Sequence, residues 1–160
     1  MKIRFILIIV LAIISFIDSD GYSDDVNLRV LGLCHTIEYY VNSLADYTNT
    51  KCLAGAGEQK ETIGLILISE KPIFTMETEK KCWLIIVVGA IGRTIADNPS
   101  FKIDTIIVSD ANMLSKRKAF SFPGILAKTL QQKLYNGEIN LEQLYKQLTM
   151  SLKEYSIPAQ

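Results

Sequence analysis

The sequence predicts an α+β fold: one domain, ordered helix-ββ-helix-ββ-helix-helix, with helices packed on a mostly antiparallel sheet of about four strands. Three observations lead there. Apolar residues recur at helical spacing in four separate stretches, around 24–47, 78–97, 125–134 and 141–152. Short runs rich in branched residues, Thr62–Ser69 and Lys102–Ser109, have the length and composition of strands. The connections within each expected strand pair are short, which favours antiparallel pairing.

The N-terminus stands apart from this pattern. Lys2 and Arg4 precede Phe5–Ile17, an uncharged apolar run that ends abruptly at Asp18. The run is short for a bilayer span, which needs about 20 apolar residues, and it matches the apolar region of a secretory signal peptide. Small residues at Ser19, Gly21 and Ser23 suit cleavage after Gly21 or Ser23. Residues 1–23 are therefore expected to be a signal peptide, 24–155 a single domain, and 156–160 a flexible tail. The expected location is the periplasm or the cell exterior, with an uncleaved N-terminal membrane anchor as the alternative.

From Asp24 to Tyr47 the residues Val26, Val30, Leu33, Ile37, Val41 and Leu44 fall on one helical face. Cys34 lies beside that stripe as a small hydrophobe, and His35, the only histidine, lies off it. Tyr47–Lys60 reads as a loop punctuated by Asn49, Gly55 and Gly57. Its glycines neither follow a strand nor open a helix, so they do not form a phosphate-binding loop. Thr62–Ser69 is the first strand. Glu70-Lys71-Pro72 turns the chain, and Ile73–Met76 returns as its shorter partner.

The longest apolar stretch beyond the N-terminus, Thr78–Asp110, holds the only tryptophan, Trp83. Its first part can be read as a strand from the run Trp83–Val88, but that strand would greatly outreach its partner. A helix over about Thr78–Asp97 fits better: Glu79 lies in its first turn, Asn98-Pro99 ends it, and Trp83, Val87, Ala90, Ile91, Thr94 and Ile95 recur at helical spacing. Gly89 and Gly92 then mark close packing, because each costs about 1 kcal/mol relative to Ala inside a helix. Lys102–Ser109 is the next strand, alternating Ile103, Thr105, Ile107 and Ser109 against Lys102, Asp104, Ile106 and Val108. Asp110-Ala111-Asn112 begins a loop and Lys116–Phe122 forms the fourth strand. A helix with the stripe Ile125, Leu126, Thr129, Leu130 and Leu134 follows and stops at Asn136-Gly137. Asn140 caps the last helix, with Gln143 in the capping-box position.

The chemistry legible in the chain is sparse. Lys and Arg number 17, as do Asp and Glu, and a near-neutral chain lacks the positive field that a phosphate backbone requires. Nucleic acid is not an expected partner. No catalytic, cofactor-binding or metal-binding set is expected. Asp104 and Asp110, an even number of residues apart on one strand, are the one pair that could serve as acid and base of a small hydrolase. Glu79-Lys80-Lys81 matches an E-x-K fragment of a nuclease signature, without the acidic partner such a site needs. Lys116-Arg117-Lys118 is the densest positive run: either a patch for an anionic partner or the charged edge of a sheet. Among the three cysteines, Cys52 in the loop and Cys82 in the central element are the expected disulfide partners, and Cys34 is the shielded one.

These readings favour a small exported non-enzymatic domain that acts through another protein. The alternatives are a hydrolase using Asp104 and Asp110, and a carrier whose Trp83–Ile95 region lines an apolar cavity. The export reading predicts that protein recovered outside the cytoplasm begins near Asp24 or Tyr22 by N-terminal analysis. An intact Met1 on a membrane-bound product would establish the anchor instead.

Overall fold

The computed structural model describes residues 24–57, 59 and 61–156; the expected signal peptide and residues 157–160 of the expected tail lie outside them. The described chain runs α1 (Asp24–Leu44), a 3-10 turn (Asp46–Thr48), β1 (Lys51–Ala56), β2 (Ile63–Ser69), a second 3-10 turn (Ile73–Thr75) and α2 (Glu77–Asp97). It continues with β3 (Ile103–Asp110), α3 (Ala111–Ser115), β4 (Lys118–Pro123), α4 (Gly124–Tyr135), α5 (Leu141–Ser151) and β5 (Lys153–Ser156). The five strands form one sheet in the order β1-β2-β3-β4-β5. Neighbours pair antiparallel except β2 and β3, which are parallel. That exception follows from α2, which carries the chain between them and lets it re-enter in the same direction. The fold is a single α+β domain.

The central stretch is a helix, and its burial explains why. Trp83, Leu84, Val87, Val88, Ala90, Ile91, Gly92, Thr94 and Ile95 of α2 are all buried, a face that only a helical period brings together. Asn98 terminates the helix by donating its amide N–H to the Thr94 carbonyl, and Pro99 follows. Gly92 is the close-packing glycine. A Cβ built there would lie 2.5 Å from Gln131 Cβ and 2.8 Å from the Ala127 carbonyl oxygen of α4, so the two helices meet at their backbones. Gly89 has nothing within 4 Å, and its place in the helix has no such packing reason.

Around α2 the core gathers Leu33, Cys34, Ile37 and Val41 of α1, Cys52, Leu65, Leu67, Ile106, Val108 and Phe122 of the sheet, and Leu130, Leu144 and Leu148 of the last two helices. Leu44, expected at the end of the α1 stripe, is 72 % exposed, because α1 ends there and the chain turns away. The last helix has the expected capping box, with Asn140 accepting from the Gln143 amide and Gln143 from that of Asn140.

Four local expectations are corrected. The expected loop Tyr47–Lys60 contains β1, which is the hairpin partner of β2. Ile73–Met76 is not a strand: Met76 donates its N–H to the Ile73 carbonyl, closing a 3-10 turn. The segment after Asp110 is a short helix, because the Asp110 carboxylate accepts from the Met113 amide and caps it. Lys153–Ser156, expected as helix end and tail, is a fifth strand paired with β4.

A buried chain of hydrogen bonds ties these parts together. The Trp83 indole N–H donates to Thr50 Oγ1 at 2.8 Å. The Thr48 hydroxyl donates to the Ala45 carbonyl at 2.7 Å, so in the 2.7 Å contact between the two threonines the Thr50 hydroxyl is the donor. The Thr48 carbonyl accepts from the Glu70 amide and from the Ser69 hydroxyl. Thr50→Val should therefore strand a buried indole N–H and cost about 1–3 kcal/mol in urea unfolding. Adding Trp83→Phe to that variant should cost less than Trp83→Phe costs alone; strict additivity of the two would show that the bond carries no stability.

Candidate functional site

All four long helices belong to one packed cluster with one face of the sheet. The strand alternation gives that face Cys52, Ala54, Leu65, Leu67, Ile106, Val108, Phe120 and Phe122. The other face carries the residues between them, and the register lines them up in rows. Leu53 stands opposite Ile66, Ile66 opposite Ile107, Ile107 opposite Ser121 and Ser121 opposite Lys153. The neighbouring row is Lys51, Ile68, Ser109, Ala119 and Tyr155. Gly55, Gly64, Thr105 and Pro123 form a third.

Among the described residues this second face is closed at one end only. Ile68, Leu114 and Ala119 are buried yet stand outside the main core, and α3, which bears Leu114, packs on β3 and β4. Leu53, Ile66 and Ile107 are half-buried, and none of them packs against the main core. No long helix among the described residues lies over them. The result is an apolar strip across β1, β2 and β3, flanked by Lys51 of β1 and Lys153 of β5.

The outer edge of the sheet is treated differently. The Thr50 amide donates to Asn42 Oδ1 at 2.7 Å, and the Asn42 side-chain amide donates back to the Thr50 carbonyl at 2.8 Å. The Cys52 amide donates to Glu38 Oε1 at 2.8 Å. Side chains of α1 thus occupy groups that an edge strand would leave free.

The structure does not bring Asp104 and Asp110 together. They lie near opposite ends of β3, six residues and so roughly 20 Å apart at strand rise. Asp110 is fully buried and both its oxygens accept backbone amides, Oδ1 from Met113 and Oδ2 from Phe74, each at 2.8 Å. Asp104 follows a register shift of β3 against β2 and closes the hairpin end. Its Oδ2 accepts from the Gln59 amide at 2.8 Å and from the Thr62 hydroxyl at 2.6 Å. Oδ1 is buried beside Thr105 without a well-formed hydrogen bond. Burial raises the Asp104 pKa, but the hydrogen bonds from Thr62, Gln59 and Thr105 outweigh it and hold the carboxyl below its ordinary value. Gly57 is what allows this closure, since a Cβ there would lie 2.2 Å from Thr62 Oγ1 and 2.6 Å from Asp104 Oδ1.

The other residues singled out from sequence are dispersed. His35 is exposed on α1, 3.7 Å from Glu38, beside a shallow depression of about 380 Å³ that Tyr39, Asn42 and Ser43 complete. Lys80 pairs with Glu77, and Lys81 with Glu142 of α5, so the E-x-K lysine is engaged between helices. Lys116, Arg117 and Lys118 are exposed, but Lys118 pairs with Glu154 of β5 at 2.9 Å. β4 is covered by β5, which corrects the reading of this run as a sheet edge. The three cysteines are free thiols: Cys34 and Cys52 are buried and Cys82 is exposed. Cys52 meets Cys34, with which it shares a hydrogen bond, and not Cys82. Trp83, Val87 and Ile91 are wholly buried among side chains. Neither the depression on α1 nor one of about 190 Å³ beside Ile95 and Phe101 is lined by them. Among the described residues no group of His, Cys, Asp and Glu is arranged to hold a metal ion, and no helix is long and apolar enough to cross a membrane.

No family model, curated protein or solved structure matches this chain.

Asp110 has the connections of a structural carboxylate. Asp110→Ala should cost about 2–4 kcal/mol, the sum of a lost helix cap and a stranded buried amide, and Asp110→Asn should recover part of that in thermal or urea unfolding. A variant as stable as the parent would remove this role.

Proposed function

We propose that this chain is a non-enzymatic binding domain that docks another protein on the uncovered face of its sheet. The observation that carries the reading is the strip Leu53–Ile66–Ile107, which crosses three strands and which no long helix among the described residues covers. Contiguous apolar surface of this kind marks interaction sites, because exposing it to water costs free energy that a partner recovers. The strip is built on regular strands, so it is rigid and already shaped before a partner arrives, which limits the ordering cost of binding.

The separation of Asp104 from Asp110 and the structural bonding of Asp110 weigh against a hydrolase that uses both. The close-packed surroundings of Trp83 weigh against a carrier with that region as its pocket. Export of the domain, with action in the cell envelope or outside the cell, remains part of the proposal; it is motivated by the apolar run Phe5–Ile17.

Photo-crosslinking tests the docking face directly. A crosslinker at Ile107 should capture a defined protein partner, and one at Ile125, exposed on α4, should not. With that partner purified, Ile66→Glu and Ile107→Glu should each weaken binding on the order of a hundredfold, as expected when a charge is forced into an interface core. The circular dichroism of each variant should match the parent. Capture from both positions alike, or unchanged affinity in both variants, would overturn the assignment of this face.

A further inference from the structure

We propose that Cys34 and Cys52 are a disulfide-forming pair that fastens α1 to the outer strand of the sheet. The two thiols meet across the α1–β1 junction, where each is hydrogen-bonded to the other. Both side chains belong to the main core, 5 % and 4 % exposed. Their approach is imposed by the neighbouring backbone. Glu38, one helical turn beyond Cys34, accepts the Cys52 amide at 2.8 Å. Asn42, one turn further, holds the amide and the carbonyl of Thr50. Three hydrogen bonds therefore hold β1 along α1, with Cys52 attached one helical turn from Cys34. Cys82, exposed on α2, has no corresponding attachment.

In the folded state the two sulfurs are inequivalent. The hydrogen bond from Cys52 holds the Cys34 thiol below its ordinary value against the opposing effect of burial. The same hydrogen bond, together with burial, pushes the Cys52 thiol well up. During folding, before that hydrogen bond forms, either thiol reacts as its thiolate, and Cys34 serves here as the first. It attacks one sulfur of a low-molecular-weight disulfide, forming a mixed disulfide and releasing one small thiolate, which takes up the proton that Cys34 gave up. Cys52, deprotonated as it attacks, then displaces the second small thiolate from the Cys34 sulfur, and the Cys52 proton ends on it. Two protein thiols are oxidised to one disulfide, and one small disulfide is reduced to two thiols. The burial of both sulfurs places this exchange during folding, before β1 closes onto α1.

The test is to unfold and reduce the purified chain, refold it with oxidised and reduced glutathione, and map its peptides without reduction. The expected product links Cys34 to Cys52, with Cys82 alkylated in the native state. The bridge closes a loop of roughly eighteen residues, which should shift the unfolding equilibrium towards the folded state on the order of a hundredfold. Dithiothreitol should reverse that shift, and Cys34→Ala and Cys52→Ala should not show it. Cys34 and Cys52 both remaining free after oxidative refolding, or a product in which Cys82 takes part, would overturn the proposal. Because the mapping is done on the unaltered chain, a folding defect in either variant leaves it decisive.

Discussion

The indole N–H of Trp83 is the polar group that the interior has to satisfy. Trp83 is wholly buried on α2, and a tryptophan placed there needs an acceptor. Thr50 supplies it, and Thr50 is held in turn by Asn42 on one side and Thr48 on the other. The partners come from the end of α1, the turn after it, and the residue that leads into β1. Glu70 and Ser69, at the far end of β2, bond to the Thr48 carbonyl. One buried donor thereby fixes where α1 stops, where β1 starts and how the first hairpin meets the central helix. A network in which every member has a partner specifies a single arrangement more strictly than apolar packing does.

What could be read from the residues follows from where each element gets its stability. α2 was legible because burial on one side imposes a 3.6-residue period on Trp83, Val87, Ile91 and Ile95. β3 was legible because branched residues cluster on it. β1 was hidden because Lys51–Ala56 is Lys-Cys-Leu-Ala-Gly-Ala, weak by composition. It is held as a strand by its pairing with β2 and by Glu38 and Asn42 reaching over from α1. β5 was hidden for a similar reason: Lys-Glu-Tyr-Ser is polar and exposed, and it depends on β4 for its hydrogen bonds. Ile73–Met76 misled in the opposite sense. Ile73 is buried as a single anchor, and the Phe74 amide is taken by Asp110 rather than by a neighbouring strand.

The second face of the sheet was half legible. The alternation of Ile103, Thr105, Ile107 and Ser109 was visible, but which side the helices would choose was not. That choice depends on Ile106 and Val108 meeting Phe120 and Phe122 across the β3–β4 pair, a matter of register between distant segments. The register shift near Ile63 and Gly64 also moved Ile103 to the helix side, which breaks the simple alternation. The thiol pair has the same origin. Cys34 and Cys52 look unrelated along the chain, because one lies in an obvious helix and the other in a strand that composition conceals.

The side chains that Glu38 and Asn42 lay along β1 have a consequence for how copies of this molecule can join. A sheet grows by adding strands at its two lateral margins, and unlimited growth needs both margins free. Here one margin is partly occupied by its own helix, while the other ends in the short β5. Two copies joined through β5 would leave only the two partly occupied β1 margins for further growth. Among the described residues the two margins are therefore unequal, and lateral stacking is hindered at β1 relative to β5.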